Sequence, residues 1–383
     1  MPEETITLTP SVISSFKVAR TFRDVSRPTT SVNFDDQGEY CVVASADDSI
    51  RLYDCLGGKH SKTVFSKRYG VHLARFTHHQ NNILHSSTRE EDAVRYLSLH
   101  DNKYIRFFRG HKRRVVALDM SPLDDQFLSG SIDGTVRLWD LRTPNCTGIV
   151  NTTGRPCVAF DPSGVIFATG LESATIRLYD LNNYDKGPFA TFLTQEVLSK
   201  MPGYIPAEWT SIKFSQDGAF LLVTTTGDIH YVLDAFNGDI KHQLTGHHRL
   251  GIDGGEEAGF SPDGKTVYSG SHNGTICFWD LQNPTPNGRP AKVLQGHVAP
   301  VKVVGFNHKY AMMVSAGLNC EMVSNVTYTI TVIHYQFDQS SLPLPSYEGL
   351  VVLLSVVKQA RTQRFVNHLC SSLATAVSLN SYQ

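Results

Sequence analysis

The chain has 383 residues, of which 41% are hydrophobic and 19% are charged, and its formal net charge is −1. This composition predicts a globular fold with a large core, and the near-neutral charge excludes overall electrostatic attraction to DNA or to an acidic membrane. Seven scattered cysteines without a C-x-x-C pair exclude a disulfide framework or a zinc knuckle, and they favour a reducing compartment, cytosol or nucleus.

The N-terminal segment, residues 1–10, is acidic and Thr-rich and lacks an apolar run, so we expect a flexible terminus rather than a signal peptide. The segment from Phe16 to Phe22 follows, and we predict that it forms a strand. Beyond it, short runs of Val, Ile, Leu, Phe and Tyr are bounded by turn residues, a pattern typical of strands joined by hairpins. The longest apolar stretch, Gly349 to Val357, is too short to span a bilayer, so no membrane partner is expected.

Two segments repeat the same pattern of residues. The third unit opens with Gly110-His111, passes a tight turn at Asp133-Gly134 and closes with Trp139-Asp140. A later unit runs from Gly246-His247 to Trp279-Asp280, with a similar turn at Asn273-Gly274. These Gly-His and Trp-Asp signatures are typical of the WD repeat, which has about forty residues per unit.

Weaker copies of the unit fill the rest of the chain. They end at an aromatic or equivalent residue: Tyr53, Tyr96, Tyr179 and Leu233. The longest interval holds an insertion at roughly Thr194 to Glu208, and a seventh unit opens at Gly296-His297 with Val301 to Val304 as its first strand. Seven units fit one closed all-β propeller. We therefore predict a seven-bladed WD40 β-propeller over residues 11–320, with Phe16 to Phe22 as the outer strand of its last blade.

Four residues of the third unit stand at the positions that form a buried hydrogen-bond network in WD repeats: His111, Ser129, Asp133 and Trp139. We assign His247 and Trp279 to the corresponding structural network of the sixth unit, which Asn273 weakens by replacing the aspartate. His, Ser and Asp together could also indicate a hydrolase triad. Their place inside a repeat favours the structural interpretation, because buried polar groups must satisfy one another.

No catalytic, cofactor-binding or metal-binding residue is predicted. The chain contains no G-x-G-x-x-G, P-loop, H-E-x-x-H or G-x-S-x-G motif. The pairs His78-His79 and His247-His248 lack other ligands at metal-binding spacing. The segment Gly251 to Gly255 replaces the first strand of the sixth unit with glycines, which weakens strand propensity there. A whole-chain repeat without catalytic motifs favours a binding role.

The most basic segment runs from Lys103 to Arg114, with aromatic residues interleaved. Residues just after Gly-His lie near the rim of a propeller, at the mouth of its central channel. The candidate partner-binding rim residues are Lys103, Arg106, Lys112, Arg113 and Arg114. Such a rim could capture an acidic or phosphorylated peptide, because arginine forks match phosphate oxygens. The alternative is a solvated loop between blades, and direct specific nucleic-acid binding is not expected.

Several stretches are more specific than the WD consensus: Tyr96 to Arg106 leading into Gly110-His111, Leu138 to Cys146, and Asp185 to Phe192. In these residues the chain resembles the Swd-two-type WD-repeat subunit of COMPASS histone methyltransferase complexes. The resemblance implies a nuclear, non-catalytic scaffold that binds a SET-domain methyltransferase acting on histone H3 lysine 4. It also implies a link to transcribing RNA polymerase II through its phosphorylated tail. In several lineages such subunits join an mRNA 3′-end processing or phosphatase assembly.

The resemblance ends near Cys320, and residues 321–383 carry no repeat signature, so we predict a divergent tail. Thr327 to Val332 alternates polar and β-branched residues and is a candidate for the missing inner strand of the last blade. The segment Ser340 to Tyr347 is rich in Pro and Ser, which predicts a linker. Four apolar residues at four-residue spacing predict a short amphipathic helix, with disorder as the alternative: Phe365, Leu369, Leu373 and Val377.

Two other functions compete with the scaffold hypothesis. WD propellers also serve as substrate receptors of ubiquitin ligases, but no F-box-like helical segment precedes the repeats. An enzyme with its site in the central channel would need acidic or His residues converging from several blades. None stands out in the sequence.

Overall fold

The computed structural model describes residues 9–25, 27–171, 174–200, 204–248, 256–298, 300–320 and 326–335, and for residues 10, 24, 318–320 and 326–335 only the backbone. The chain divides into two compact units, residues 1–334 and 335–383, and all described residues except Tyr335 lie in the first. The Gly-rich segment 251–255, the linker at 340–347 and the helix at 365–377 lie outside the described residues. The domain boundaries at residues 10 and 320 stay predictions.

The chain begins with the helix α1 (Pro10–Ser14) and the strand β1 (Phe16–Val25). Six four-stranded antiparallel sheets follow, each made of four consecutive strands, and we call them blades 1 to 6. Blades 1 to 3 comprise β2 (Thr29–Phe34), β3 (Tyr40–Ser45), β4 (Ser49–Asp54), β5 (Lys59–Phe65), β6 (Ala74–Phe76), β7 (Asn82–Ser86), β8 (Val94–Ser98), β9 (Lys103–Phe108), β10 (Val115–Met120), β11 (Gln126–Ser131), β12 (Thr135–Asp140) and β13 (Cys146–Asn151).

Blades 4 to 6 repeat this arrangement. They comprise β14 (Cys157–Phe160), β15 (Ile166–Leu171), β16 (Thr175–Asp180), β17 (Ala190–Leu193), β18 (Trp209–Phe214), β19 (Phe220–Thr225), β20 (Ile229–Asp234), β21 (Ile240–Thr245), β22 (Ala258–Phe260), β23 (Thr266–Gly270), β24 (Thr275–Asp280) and β25 (Lys292–Gln295). In every blade the third strand contains the residue that marks the repeat, such as Tyr53 in β4 and Trp279 in β24. The predicted spacing of these marker residues, one in each of the six blades, is therefore confirmed.

The seventh sheet joins the two ends of the described chain. It contains β26 (Val301–Phe306), β27 (Met312–Cys320) and β28 (Val326–Tyr335), with β1 as its outer strand beside β28. β27 and β28 pair antiparallel from Met312 opposite His334 to Cys320 opposite Val326. The predicted outer strand at Phe16 to Phe22 is confirmed in β1. The segment Thr327 to Val332 lies in β28, which is the third strand of the sheet when β26 is counted as the first.

The sheets are arranged as an all-β propeller. The first strand of each sheet contacts the first strand of the next, and β26 contacts β2. Neighbouring sheets share their apolar cores; between blades 2 and 3, for example, the ring of Phe108 meets the rings of Phe127 and Trp139 at centroid distances of 4.8 and 5.6 Å. A lone sheet leaves both faces exposed, and stacking in a ring buries them.

The connections between strands follow the turn residues. Gly134 and Gly274 adopt φ values of 78° and 82° in the tight turns between the second and third strands of blades 3 and 6, and this left-handed conformation favours glycine. The insertion predicted at Thr194 to Glu208 is present and begins with the helix α2 (Thr194–Leu198). Short 3₁₀ helices occupy Tyr184–Lys186 and Pro286–Gly288. Among the described helices, none has the length and apolar character that crossing a membrane requires.

Candidate partner-binding surface

A chain of hydrogen bonds runs through the buried centre of blade 3. The indole Nε1 of Trp139 donates to Ser129 Oγ at 2.8 Å, and Ser129 Oγ lies 2.7 Å from His111 Nε2. His111 Nδ1 lies 3.1 Å from Asp133 Oδ2. All four groups are satisfied when a neutral His111 carries its proton on Nδ1, accepts from Ser129 and donates to Asp133. Burial lowers the pKa of His111, which agrees with this neutral form.

Asp133 extends this chain to the loop that follows Gly110-His111. Its Oδ2 also accepts the backbone N–H of Lys112 at 2.8 Å, and Ser131 Oγ donates to Arg113 O at 2.7 Å. Burial alone would raise the pKa of Asp133, but hydrogen bonds from Thr135, Lys112 and His111 lower it to about 2. The buried network therefore fixes the backbone that carries three exposed cations: Lys112, Arg113 and Arg114.

Blade 6 holds the same residue types in a different arrangement. Trp279 Nε1 donates to the backbone carbonyls of Thr245 and Gly288, at 3.1 and 2.9 Å. His247 stacks on His230 with ring centroids 3.9 Å apart, and within the described chain neither of its ring nitrogens has a hydrogen-bond partner. Asn273 Oδ1 accepts from Thr275 instead. The structure thus places His247 and Trp279 side by side without joining them in one hydrogen-bond chain.

The five candidate rim residues are spread along β9 and the loop that follows it. Lys103 opposes Ser98 at the first residue of this strand, and Arg106 donates to the backbone carbonyl of Leu141. Lys112, Arg113 and Arg114 follow the other end, and a strand of this length spans about 17 Å. The structure therefore brings Lys112 to Arg114 together and separates Lys103 and Arg106 from them.

Ion pairs at the loop of residues 88–92 involve Arg109, which belongs to the basic segment Lys103 to Arg114, and several charged residues that sequence reasoning missed: Arg68, Arg89, Glu90 and Glu91. Arg68 Nε lies 2.8 Å from Glu90 Oε2, and Arg109 Nε lies 2.7 Å from Glu91 Oε2. Arg89 Nη2 lies 2.8 Å from Asp48 Oδ2. We call the exposed cations of this region the rim surface: Arg68, Arg89, Arg109, Lys112, Arg113 and Arg114. The sequence did contain one indication of these residues: residues 88–92 are densely charged at the place where other blades have a short turn.

The central channel forms a cavity of about 430 Å³ lined mainly by first strands. Inside it Arg75 pairs with Glu256 from the far side of the ring, with side chains 12% and 14% exposed. Asp119 Oδ2 accepts the backbone N–H of Phe160 at 2.8 Å, and burial raises the pKa of this carboxyl to about 6. These charged groups hold blades to one another. No three His, Cys, Asp or Glu side chains in the described part of the chain group as metal ligands.

Comparison with known proteins identifies the family. The model of the WD domain, G-beta repeat, matches residues 17–54, 102–140, 148–180 and 238–280. WD repeat-containing protein 82 of Drosophila melanogaster is 47% identical over 82% of this chain and 96% of its own length. The Set1 complex component swd2 of Schizosaccharomyces pombe is 41% identical over 66% of this chain and 71% of its own length. The COMPASS component SWD2 of Saccharomyces cerevisiae is 35% identical over 82% of this chain and 96% of its own length. The chain therefore belongs to the WD-repeat family that includes WD repeat-containing protein 82 and the Swd2 proteins.

Proposed function

We propose that this protein is a non-catalytic scaffold subunit of a COMPASS-type histone H3 lysine-4 methyltransferase complex in the nucleus. The observation that carries the proposal is the match to the COMPASS component SWD2, which covers 96% of that relative's length. A second relative is named for the Set1 complex. The propeller supports this role, because the edges and faces of a rigid ring offer surfaces for several partners.

A closed ring of seven blades is part of the proposal. The contact of β26 with β2 and the position of β1 beside β28 support it, since both join the last sheet to the start of the chain. Closure would bury the faces of the first and last sheets and hold the rim loops in fixed relative positions. A scaffold needs this rigidity to present several partners at once.

The rim surface is the proposed contact for the phosphorylated tail of RNA polymerase II, which would link the complex to transcription. Lys112, Arg113 and Arg114 are exposed, and their backbone is fixed through Asp133 and Ser131. Guanidinium groups donate two parallel hydrogen bonds to phosphate oxygens, and a fixed backbone lowers the entropy cost of binding.

Affinity purification of the tagged protein from nuclear extract tests the scaffold role. We expect a SET-domain methyltransferase that modifies histone H3 lysine 4 among the recovered proteins. Recovery of cullin machinery without the methyltransferase would instead indicate a substrate receptor of a ubiquitin ligase. Recovery of 3′-end processing or phosphatase subunits alone would also contradict the methyltransferase assignment.

Capture of phosphorylated polymerase-tail peptides tests the rim surface. The double variant Arg113→Glu, Arg114→Glu should bind such peptides at least about tenfold more weakly, since it replaces attraction with repulsion at two adjacent positions. Lys103→Glu is the matched control, because Lys103 is 80% exposed at the opposite end of β9. Equal affinity of wild type and the double variant would remove the rim surface from the proposal.

A further inference from the structure

The loop between β7 and β8, residues 87–93, differs from the three-residue turns at 46–48 and 132–134. A buried cation, Arg95, holds it from below. The Nε of Arg95 donates to Ser87 Oγ at 2.7 Å, and its Nη2 donates to the backbone carbonyl of Glu90 at 2.8 Å. Its guanidinium carbon lies 3.5 Å from the ring centroid of Tyr69 and 4.9 Å from that of Phe107. Cation–π contact and hydrogen bonds therefore fix the base of the loop.

The tip of the loop is held in a conformation that L-residues rarely adopt. Glu90 and Glu91 have φ values of 30° and 63°. The backbone N–H groups of Thr88 and Arg89 both donate to Tyr69 O, at 3.0 and 2.8 Å. Strained backbone persists only where surrounding contacts over-determine it, and it concentrates at functional sites. Here the strain places two consecutive glutamates on the rim surface.

Each of these glutamates forms an ion pair with an arginine that an acidic ligand would also need to contact. Glu90 pairs with Arg68 and Glu91 with Arg109, and all four side chains are more than half exposed. The hydrogen bond with Arg109 lowers the pKa of Glu91, so this carboxylate stays ionised at neutral pH. Arg109 is only three residues from Lys112 in the same rim loop. A peptide lying along the rim surface must therefore compete with the loop for two of its cations.

We propose that Glu90 and Glu91 form an acidic competitor built into the rim. These two glutamates pair with Arg68 and Arg109 until a more highly charged ligand displaces the glutamates. The proposal rests on the proposed function of the rim surface. A carboxylate of the ligand merely replaces the carboxylate of Glu90 or Glu91. A phosphate monoester carries more charge and three acceptor oxygens, so it displaces the loop more readily. The loop thus lowers the affinity of every anionic segment that must displace it, so that only segments with the stronger phosphate contacts stay bound.

Binding of matched peptides to single variants of the full chain tests this proposal. The peptides share one sequence, with either phosphoserine or aspartate at the variable positions, and fluorescence anisotropy measures their affinities. Glu90→Gln and Glu91→Gln should each tighten binding of the aspartate peptide at least about threefold, which lies within the usual strength of a surface ion pair. The phosphopeptide should gain by a similar factor, because both peptides must displace the same carboxylates, and its affinity should remain the higher of the two.

Asp92→Asn is the control, because it removes the same charge from the same loop while Asp92 forms no ion pair among the described contacts. Equal gains in Asp92→Asn and Glu91→Gln would show that only net charge matters and would overturn the proposal. Melting temperatures of the variants confirm that all remain folded.

Two further arms separate this proposal from the proposed function. If Arg113→Glu, Arg114→Glu abolishes peptide binding while both glutamate variants bind as wild type does, the loop proposal fails and the rim function stands. Inorganic tripolyphosphate is the second probe. If the wild type binds no polymerase-tail peptide but Glu91→Gln binds tripolyphosphate more tightly than Asp92→Asn does, the rim function fails and the loop proposal stands. Absence of all binding overturns both.

Discussion

Ser129 shows how one hydroxyl can organise a blade. It accepts from the indole of Trp139 and donates to the imidazole of His111, so each group in the buried centre of blade 3 has a partner. In blade 6 the corresponding serine, Ser269, lies 3.2 Å from His230 of the preceding blade instead. The same residue types therefore make different bonds, because a neighbouring blade can supply a competing partner.

Asp133→Asn should destabilise the protein by about 1–3 kcal/mol, since it weakens the acceptor for His111 and for the backbone N–H of Lys112. Chemical denaturation of both forms at pH 7.5 measures the loss. Asn273→Asp in blade 6 is the control and should change stability by less than about 0.5 kcal/mol, because His247 does not depend on this position. Equal losses from the two substitutions would contradict this view of blade 6.

The sequence did not predict which charged side chains of the rim lie close together in the folded chain. Lys103, Arg106 and Lys112 are close along the chain, so the sequence predicts that they form one surface. A strand converts closeness in sequence into distance, so β9 carries Lys103 to the opposite end of the blade. Conversely, Glu91 and Arg109 are distant in sequence and meet at 2.7 Å. Such pairing depends on loop conformation, which residue types alone do not determine.

At the scale of elements, the residues that mark each repeat, such as Tyr53 and Trp279, predicted the third strands well. Tyr53 and Trp279 both lie at the same position near the end of their strands. Val301 to Val304 likewise lies in β26, the first strand of the seventh sheet. The loop 87–93 escaped prediction for a different reason. Its conformation depends on the buried Arg95 and on Tyr69, which comes from the preceding connection. The residues of the loop alone do not predict such a tertiary contact.

Gly270 of blade 6 lies against the first strand of the seventh sheet. A Cβ there would overlap the backbone carbonyl of Val301 in β26, and a backbone group cannot move aside cheaply. Gly270→Ala should therefore destabilise the protein by about 1–3 kcal/mol, measured as a shift in the urea midpoint. Gly296→Ala, at an exposed glycine with no atom near the added methyl, should change stability by less than about 0.5 kcal/mol. Similar midpoints for both variants would contradict close packing at this junction.

The strand β28 links β27 to β1 in the seventh sheet. A chain truncated after Cys320 should melt at least about 5 °C below one truncated after Tyr335, because it loses the cross-strand pairs of β28, each worth about 0.2–1 kcal/mol. Differential scanning calorimetry of the two truncated chains measures this difference. Coincident melts would mean that β28 adds nothing to the stability of the last sheet.

The whole molecule should lose stability in mild acid. Burial lowers the pKa of His72 and His85 to about 3 and that of His247 and His297 to about 4. Their unfolded-state pKa is about 6.5, so below that pH the unfolded chain binds more protons than the folded chain. The folded state keeps its full stability above about pH 6.5 and loses it progressively as the pH falls through the folded-state pKa values of about 4 and about 3. Each such histidine contributes a slope of up to about 1.4 kcal/mol per pH unit.

Denaturation midpoints at pH 7.5, 6 and 5 measure this loss, which the raised pKa of Asp119 opposes in part because that carboxyl binds a proton more readily in the folded state. His72→Gln should flatten the dependence, whereas His100→Gln, at an exposed position, should leave it unchanged. Stability that stays constant from pH 7.5 to 5 would contradict the buried neutral state of these histidines.

The seventh sheet also sets the order of events during synthesis. Its outer strand β1 precedes its neighbour β28 by about 300 residues, so β1 leaves the ribosome about 15–60 s before β28 at ordinary translation rates. Throughout that interval β1 lacks its partner in the sheet, and its edge can bind a chaperone or another nascent chain. The seventh sheet can therefore be completed only after β28 has emerged, and termination before β28 would leave β1 without its neighbouring strand.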